Sequence, residues 1–399
     1  MKKKLHVIVA GGGIGGAATA LALLNKGFDV DVYEQAPELG EVGAGIQISP
    51  NANRALDYLG VFNDLARLSS NADDKVVRLW NSGKTWEMFD LGTEALDRYG
   101  YPYLTVFRPD LLQVLVDAVR RKKPEAIHLA KKCVGYEQKG DRVSVSFADG
   151  TTAEGDILIG ADGVHSAIRS ALFGSGPAKF SGMLAWRGVI PMETLPEKMN
   201  ISRATVWVGP HGHVVHYPLR GGKLMNLVAT AERSDWQVES WSTEGSKEEF
   251  RADFAGWHED IQTLIEAAPS QFKWALMVRP PLQQWVEGRV ALLGDACHPT
   301  LPLLAQGAVM AIEDAVVLSR CLDAHLADPD QALKTYEALR SPVANRKVEG
   351  ANENLQRFHN EAFDHEDTAE TFIEREWGRA AILERYNWIF TDDVTATPV

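Results

Sequence analysis

The run Gly11-Gly12-Gly13-Ile14-Gly15-Gly16 constrains the fold of this chain more than any other segment. It meets the spacing G-x-G-x-x-G, and the residues on each side decide how it is read. Leu5–Ala10 is apolar and rich in β-branched side chains, which predicts a buried strand. A helix is predicted from about Ile14 to Lys26, with Gly27 where a C-terminal cap belongs. A second strand is predicted over Phe28–Glu34. A glycine turn inside such a βαβ unit is the phosphate-binding fingerprint of dinucleotide folds. Gly11 permits the tight turn, and Gly13 lets backbone amides approach a pyrophosphate at the helix N-terminus. Ile14 and Gly15 open the helix, and Gly16 lets it pack closely on the strand. Glu34 stands 18 residues after Gly16, where a carboxylate accepts hydrogen bonds from ribose hydroxyls. An acid there disfavours a 2′-phosphate, so FAD or NAD is expected rather than NADP.

Two further glycine turns carry an aspartate. Gly160-Ala161-Asp162-Gly163 follows the short apolar strand Asp156–Gly160, and Gly294-Asp295-Ala296 follows the buried strand Arg289–Leu293. An open α/β sheet meets its ligand at the carboxyl ends of its strands. A short acidic side chain there can hold a polyol. Either turn alone reads equally well as an Asx turn; together and in this order they are specific.

The rest of the chain divides by pattern. Helices are predicted at Pro50–Leu59, Pro109–Arg120 and Leu303–Leu322. Val143, Val145 and Phe147 alternate with polar residues before the hairpin signal Asp149-Gly150. Residues Ser181 to Ala231 are strand-like and aromatic, which predicts a second, antiparallel sheet. His211, His213, Val215 and Tyr217 share one face of a strand there, and His216 points the other way. The tail beyond Asn352 is polar, with Trp377 and Trp388 available to dock it on the body or on a second copy, so a homodimer stays open.

Composition excludes several classes. The 399 residues suffice for two to three domains at about 100–200 residues each. A net charge of −13 argues against a nucleic-acid or anionic-membrane binder, because either surface repels it. Cys133, Cys297 and Cys321 form neither a disulfide framework nor a zinc site, and fit a reducing compartment. His211 and His213 lack a third ligand at sensible spacing, so no metal is expected. Lys2, Lys3 and Lys4 ahead of uncharged Leu5–Leu24 imitate a secretion signal, but glycines break that stretch and a second strand follows it. A cytoplasmic protein without a membrane span is expected.

These three turns, in this order over nearly the whole chain to about residue 350, resemble the single-component FAD-dependent aromatic hydroxylases, the group A flavoprotein monooxygenases. Within that family the chain looks most like the salicylate, 3-hydroxybenzoate and 6-hydroxynicotinate hydroxylases. The resemblance implies an α/β fold: a Rossmann-like FAD-binding domain, an inserted and mostly antiparallel substrate domain, and a C-terminal helical segment. The implied limits are 1–75, 104–177 and 283–350 for the first, 76–103 and 178–282 for the second, and 351–399 for the third. It implies tightly bound, non-covalent FAD, with NADH or NADPH and O2 as co-substrates and a small phenolic aromatic acid hydroxylated through a flavin C4a-hydroperoxide. NAD(P)H would bind transiently over the flavin, since Gly174-Ser175-Gly176 has no following helix or third glycine. Gly11, Gly13, Gly16 and Glu34 would bind the ADP half of FAD. Arg108 matches an arginine on the FAD chain, Asp162 belongs to a motif for FAD and NAD(P)H, and Asp295 would hold the ribityl hydroxyls. Gly307 and Ala308 would open a helix aimed at the flavin's pyrimidine edge.

On the substrate side, His213, Tyr217 and Pro218 match the family's His-x-x-x-Tyr-Pro segment. Tyr217 is expected to position the phenol and His213 to act as base or proton relay. Gln47, in Gly43-Ala44-Gly45-Ile46-Gln47, and Pro302 stand at substrate-side positions. The 6-hydroxynicotinate enzymes resemble each other in carrying histidines at those two positions, which disfavours that substrate here. Arg187 and Arg220 are both candidates for a carboxylate anchor. Three other readings stay open: a hydroxypyridine carboxylate monooxygenase, an FAD-dependent reductase or oxidase, and a non-catalytic nucleotide-binding protein.

Overall fold

The computed structural model describes residues 5–40, 44–174, 176, 178–233 and 243–399. Lys2–Lys4, Gly43 and the middle residue of Gly174-Ser175-Gly176 lie outside them. The first βαβ unit forms as its residues dictate: strand His6–Ala10, helix Ile14–Asn25 and strand Asp29–Tyr33, with Gly27 left-handed at φ 84°. The strand His6–Ala10 sits centrally in a six-stranded sheet, pairing in parallel with Asp29–Tyr33 on one side and Ile157–Gly160 on the other. Val290–Leu292 extends the parallel set beyond Ile157–Gly160. Both faces are covered, so these strands are almost wholly apolar and buried. An antiparallel meander, Cys133–Lys139, Arg142–Phe147 and Thr152–Gly155, leads into this sheet, with the turn at Gly150 as expected.

The long apolar helix begins later than its composition suggests. It spans Gly307–Ala324, and Leu303 to Gln306 form a loop before it. Ala305 is left-handed at φ 55°, which interrupts the helical path.

The second sheet has seven strands, in the spatial order Phe272–Val278, Lys179–Pro191, Leu224–Glu232, Gly212–Leu219, Arg203–Gly209, Asp74–Leu79 and Thr85–Asp90. All neighbours run antiparallel except Arg203–Gly209 with Asp74–Leu79. One face packs Trp186, Trp207 and Leu227 on the helices Lys247–Asp253 and Glu259–Ala267. The other face looks toward the nucleotide-binding half. Register lays it out in rows: Ala204 opposes Lys75 and Tyr217 opposes Asn226; Val77, Val206, Val215 and Val228 align; and Leu79, Val208, His213 and Thr230 align. A small third sheet, Gly45–Ile48, Leu104–Phe107 and Ser70–Asn71, connects the two halves.

The tail closes over that second face. Pro329–Phe358 is one 30-residue helix, followed by helices Glu366–Trp377 and Arg379–Phe390. Trp377 packs with Phe358 and Phe363 in the cluster that holds Tyr217, Leu303 and Leu304, and Arg346 stacks on Trp388 at 3.9 Å. Both tryptophans therefore dock the tail on its own body. Among the described residues no helix is long and apolar enough to cross a membrane.

Candidate active site

Three turns converge at the carboxyl ends of the parallel strands. Gly11 is left-handed at φ 106°, and a Cβ there would lie 2.3 Å from the carbonyl oxygen of Ala161. A Cβ on Gly16 would lie 1.9 Å from the carbonyl oxygen of Gly11. Only glycine fits either position. A Cβ on Gly13 would meet nothing within 4 Å among the described residues, so the N-terminus of Ile14–Asn25 is open on that side. Gly15 faces the long helix, where a Cβ would meet Leu293 at 2.9 Å and Ala311 at 3.2 Å.

The acids sit around that opening. The Glu34 carboxylate accepts the amides of Gly12 at 2.6 Å and Ala36 at 2.8 Å, which aims it across the glycine turn. Asp162 Oδ2 accepts the amides of Ala167 and Ile168, capping the helix Ala167–Phe173, while its buried Oδ1 has no partner among the described residues. Asp295 is exposed on its turn beside Gly294, left-handed at φ 63°. The first internal hydrogen bond of the long helix is from Met310 N to Gln306 O, so the amides of Gly307, Ala308 and Val309 face outward from its first turn. Arg108 opens the helix Arg108–Lys122, and its amide donates to Ala44 O at 2.9 Å. An open helix N-terminus flanked by a carboxylate at one strand end and an exposed aspartate at another fits a dinucleotide: anion over the helix, polyols on the acids.

The substrate-side residues gather where the small third sheet meets the large one. A Cβ on Gly45 would lie 2.7 Å from both Tyr217 and Asn226, so glycine allows this close approach. Asn226 Oδ1 accepts the amide of Gly45 at 2.7 Å, and its buried Nδ2 has no partner among the described residues. Gln47 Oε1 accepts from the Tyr103 hydroxyl at 2.8 Å and from Lys75 Nζ at 3.4 Å, and its side chain also hydrogen-bonds Tyr217. Burial pushes the Tyr217 hydroxyl well above its usual pKa, with Gln47 opposing it, so Tyr217 stays protonated. Burial alone pushes Lys75 down to about 8. Lys75, Tyr103 and Asn226 carry no motif, and only register and the small side chain of Ala204 bring them together.

His213 lies on the same face but not at the same place. It is four residues from Tyr217, about 13 Å along a strand. Phe358 packs on its ring at a centroid distance of 5.0 Å, and its Nδ1 lies 2.6 Å from Nε2 of His359. Between Tyr217 and His213 the face is apolar at Val215, and Leu301, Leu303 and Leu304 belong to the same cluster. Pro302 is exposed between them. His211 is outside the strand, in an exposed turn, against Glu232.

The two arginines fall elsewhere. Arg220 is half-exposed, bidentate to Asp110 and stacked on Phe107, so its charge is already engaged. Arg187 is buried over the rings of Phe272 and Trp274. Cys297, His298 and Asp314 bring possible ligand atoms within 4.8 Å of one another. Internal partners already use them: His298 Nε2 meets Asp314 at 2.6 Å, Arg340 meets Asp314 at 2.8 Å, and Cys297 Sγ donates to Gly294 O.

A dinucleotide cradle on parallel strands, beside an apolar sheet face with phenolic, amide and imidazole groups, is the framework of a dinucleotide-dependent enzyme. The chain belongs to the FAD binding domain family of aromatic-ring monooxygenases, whose model matches residues 4–351. It is 37% identical over 385 residues to the 3-amino-4-hydroxybenzoate 2-monooxygenase PtnB3 of Streptomyces platensis, covering 96% of this chain and 95% of that one. It is 40% identical over 350 residues to the 6-hydroxynicotinate 3-monooxygenase of Pseudomonas fluorescens, covering 87% and 90%. Its fold matches Klebsiella pneumoniae HpxO complexed with FAD and uric acid, with a TM-score of 0.81 and 29% identity over 95% of this chain and 97% of that one.

Proposed function

We propose that this protein hydroxylates a phenolic aromatic acid, salicylate- or hydroxybenzoate-like, with NADH or NADPH and O2 as co-substrates. The observation that carries the reading is the polarity of the sheet face. One end is rich in donors: the Lys75 ammonium, the Tyr217 hydroxyl and the unpartnered Nδ2 of Asn226. The other end is an acceptor, because burial holds His213 well below its usual pKa and so neutral. A hydroxybenzoate lying over Val215, with its hydroxyl meta or para to the carboxylate, presents its carboxylate to the first end and its phenol to the second, whereas the adjacent groups of salicylate reach one end at a time. The distance between Tyr217 and His213 thus divides work that their shared face alone would assign to one oxygen.

FAD, when bound, supplies hydride acceptance and oxygen activation. Gly11, Gly13, Gly16 and Glu34 would hold its ADP half, and Arg108, Asp162 and Asp295 its chain. The amides of Gly307 and Ala308 stabilise negative charge at the pyrimidine edge. The 1–75, 104–177 and 283–350 segments supply these groups, 76–103 and 178–282 most of the substrate face, with Gln47 and Lys75 added from 1–75, and 351–399 part of its cover. Gln47 orients Tyr217, His213 takes the phenol proton, and Leu303 and Leu304 with the tail exclude water. A phenolate is the better nucleophile toward an electrophilic oxygen. The test is a panel of hydroxybenzoates and hydroxypyridine carboxylates scored by NADH and NADPH consumption and product mass. Tight coupling with a hydroxybenzoate supports the reading; coupling with hydroxypyridine carboxylates alone overturns it.

A further inference from the structure

His213 ends a chain of polar side chains that reaches the surface. Its Nδ1 lies 2.6 Å from Nε2 of His359, which the tail contributes just past its 30-residue helix. His359 Nδ1 lies 3.4 Å from Oε1 of Glu232, at the end of the neighbouring strand, within ion-pair reach but short of a formed hydrogen bond. Glu232 Oε2 lies 3.3 Å from Nδ1 of His211. Exposure rises along the path: the side chains of His213 and His359 are buried, that of Glu232 is 42% exposed and that of His211 75%. We propose that Glu232 and His359 are positioning residues that fix the tautomer of His213 and carry its proton to solvent. This rests on the phenolic substrate proposed above.

The tautomers follow from the acceptor at the outer end. A carboxylate only accepts, so His359 places its proton on Nδ1, facing Glu232. Its Nε2 is then a lone pair, and His213 must place its own proton on Nδ1. That leaves Nε2 of His213 as the ring's basic nitrogen. The order is the same as in any imidazole oriented by a carboxylate, extended by one ring.

Transfer then balances. The phenol O–H bond breaks and a new N–H forms at His213 Nε2. The Nδ1 proton of His213 passes to Nε2 of His359, and the Nδ1 proton of His359 passes to Glu232, once that half-exposed carboxylate closes to hydrogen-bond distance, and on to solvent. The reverse shift returns a proton to the product oxygen and restores both rings. Neither ring holds a charge for long: burial, with the neighbouring His359, pushes His213 well below the usual imidazole range, and burial, opposed by Glu232, pushes His359 down to about 4. The groups around the pair are Phe358 from the tail, Val208 and Thr230 from the flanking strands, and His211 and Glu232 at the outer end. Among these, only Glu232 is a carboxylate.

The test needs no turnover. Long-range proton–nitrogen NMR on the holoenzyme labelled with 15N-histidine reads the protonated nitrogen of each ring. Wild type should show His213 and His359 both protonated on Nδ1; Glu232→Ala should lose that bias at both rings, and Glu232→Asp should restore it. In stopped flow, 4-hydroxy-3-nitrobenzoate reports phenolate formation by its visible absorbance. Glu232→Ala and His359→Leu should slow that step about tenfold or more. If His213 carries its proton on Nε2 in wild type, or if Glu232→Ala changes neither tautomers nor rate, the inference is overturned. If the tautomers are as stated but wild type never ionises the probe, the phenol reading fails while the tautomer lock stands.

Discussion

Arg340 and Asp314 meet at 2.8 Å in the interior, with the arginine 2% exposed and the aspartate fully enclosed. Arg340 also donates to Glu313, which is shared by Lys347 and Asn51. This network fastens the long apolar helix Gly307–Ala324 to the 30-residue helix Pro329–Phe358. Removing one partner leaves an uncompensated buried charge. Arg340→Met should destabilise the protein by about 3–5 kcal/mol, measured by denaturant unfolding of the holoenzyme.

The same network sets a response to acid. Burial alone would raise the Asp314 pKa, but His298 and Arg340 outweigh it and bring it to about 2. Glu313 is lowered likewise against its burial by Lys347 and Arg340. A lowered carboxylate pKa gives stability that is complete above the unfolded value, about 4. It is lost as pH falls from there toward 2. Unfolding midpoints should therefore drop over that window, and Asp314→Asn should flatten the drop. An unchanged slope in the variant would assign the acid sensitivity elsewhere.

Asp295 carries the proposed ribityl contact on an exposed turn. Asp295→Ala should fold as wild type and purify with much less flavin, read from the ratio of absorbance at 450 and 280 nm, about tenfold for a lost charged hydrogen bond. Full occupancy in that variant would remove Asp295 from the cofactor site.

In the proposed binding mode Lys75 is the cation at the donor-rich end. Lys75→Met should raise KM for a hydroxybenzoate about tenfold or more, as expected for a charged hydrogen bond, and leave a phenol without a carboxylate nearly unaffected. Because burial lowers Lys75 to about 8, binding of the acid should weaken as pH rises through that value and the ammonium loses its proton. A pH-independent KM between about 7 and 9 would count against this role.

Tyr217 and His213 should serve oxygen transfer more than reduction of the flavin. Tyr217→Phe and His213→Ala are expected to go on consuming NAD(P)H with substrate present, but to release hydrogen peroxide in place of product. A positioned base contributes about 10²–10⁴-fold, enough to uncouple the two half-reactions. The ratio of product to NAD(P)H consumed checks this. Wild-type coupling in both variants would make the two residues members of the sheet core only.

The sequence by itself determined the nucleotide-binding half. Gly11 and Gly16 are legible because their close contacts tolerate only glycine, and Gly294 because its left-handed turn favours it, and local spacing records that requirement directly. Period-two alternation likewise placed His213, Val215 and Tyr217 on one face. Only the tertiary structure decided what that face contains. Lys75, Tyr103, Asn226, Glu232 and His359 come from distant segments, and strand register and the docking of the tail bring them together. Pairing between strands leaves no mark at a fixed offset along the chain. The separation of Tyr217 from His213 was countable in the sequence, but the donors around one and the imidazole behind the other were not. The proposed cofactor site is built from local turns, and the proposed substrate face from a surface assembled from six parts of the chain.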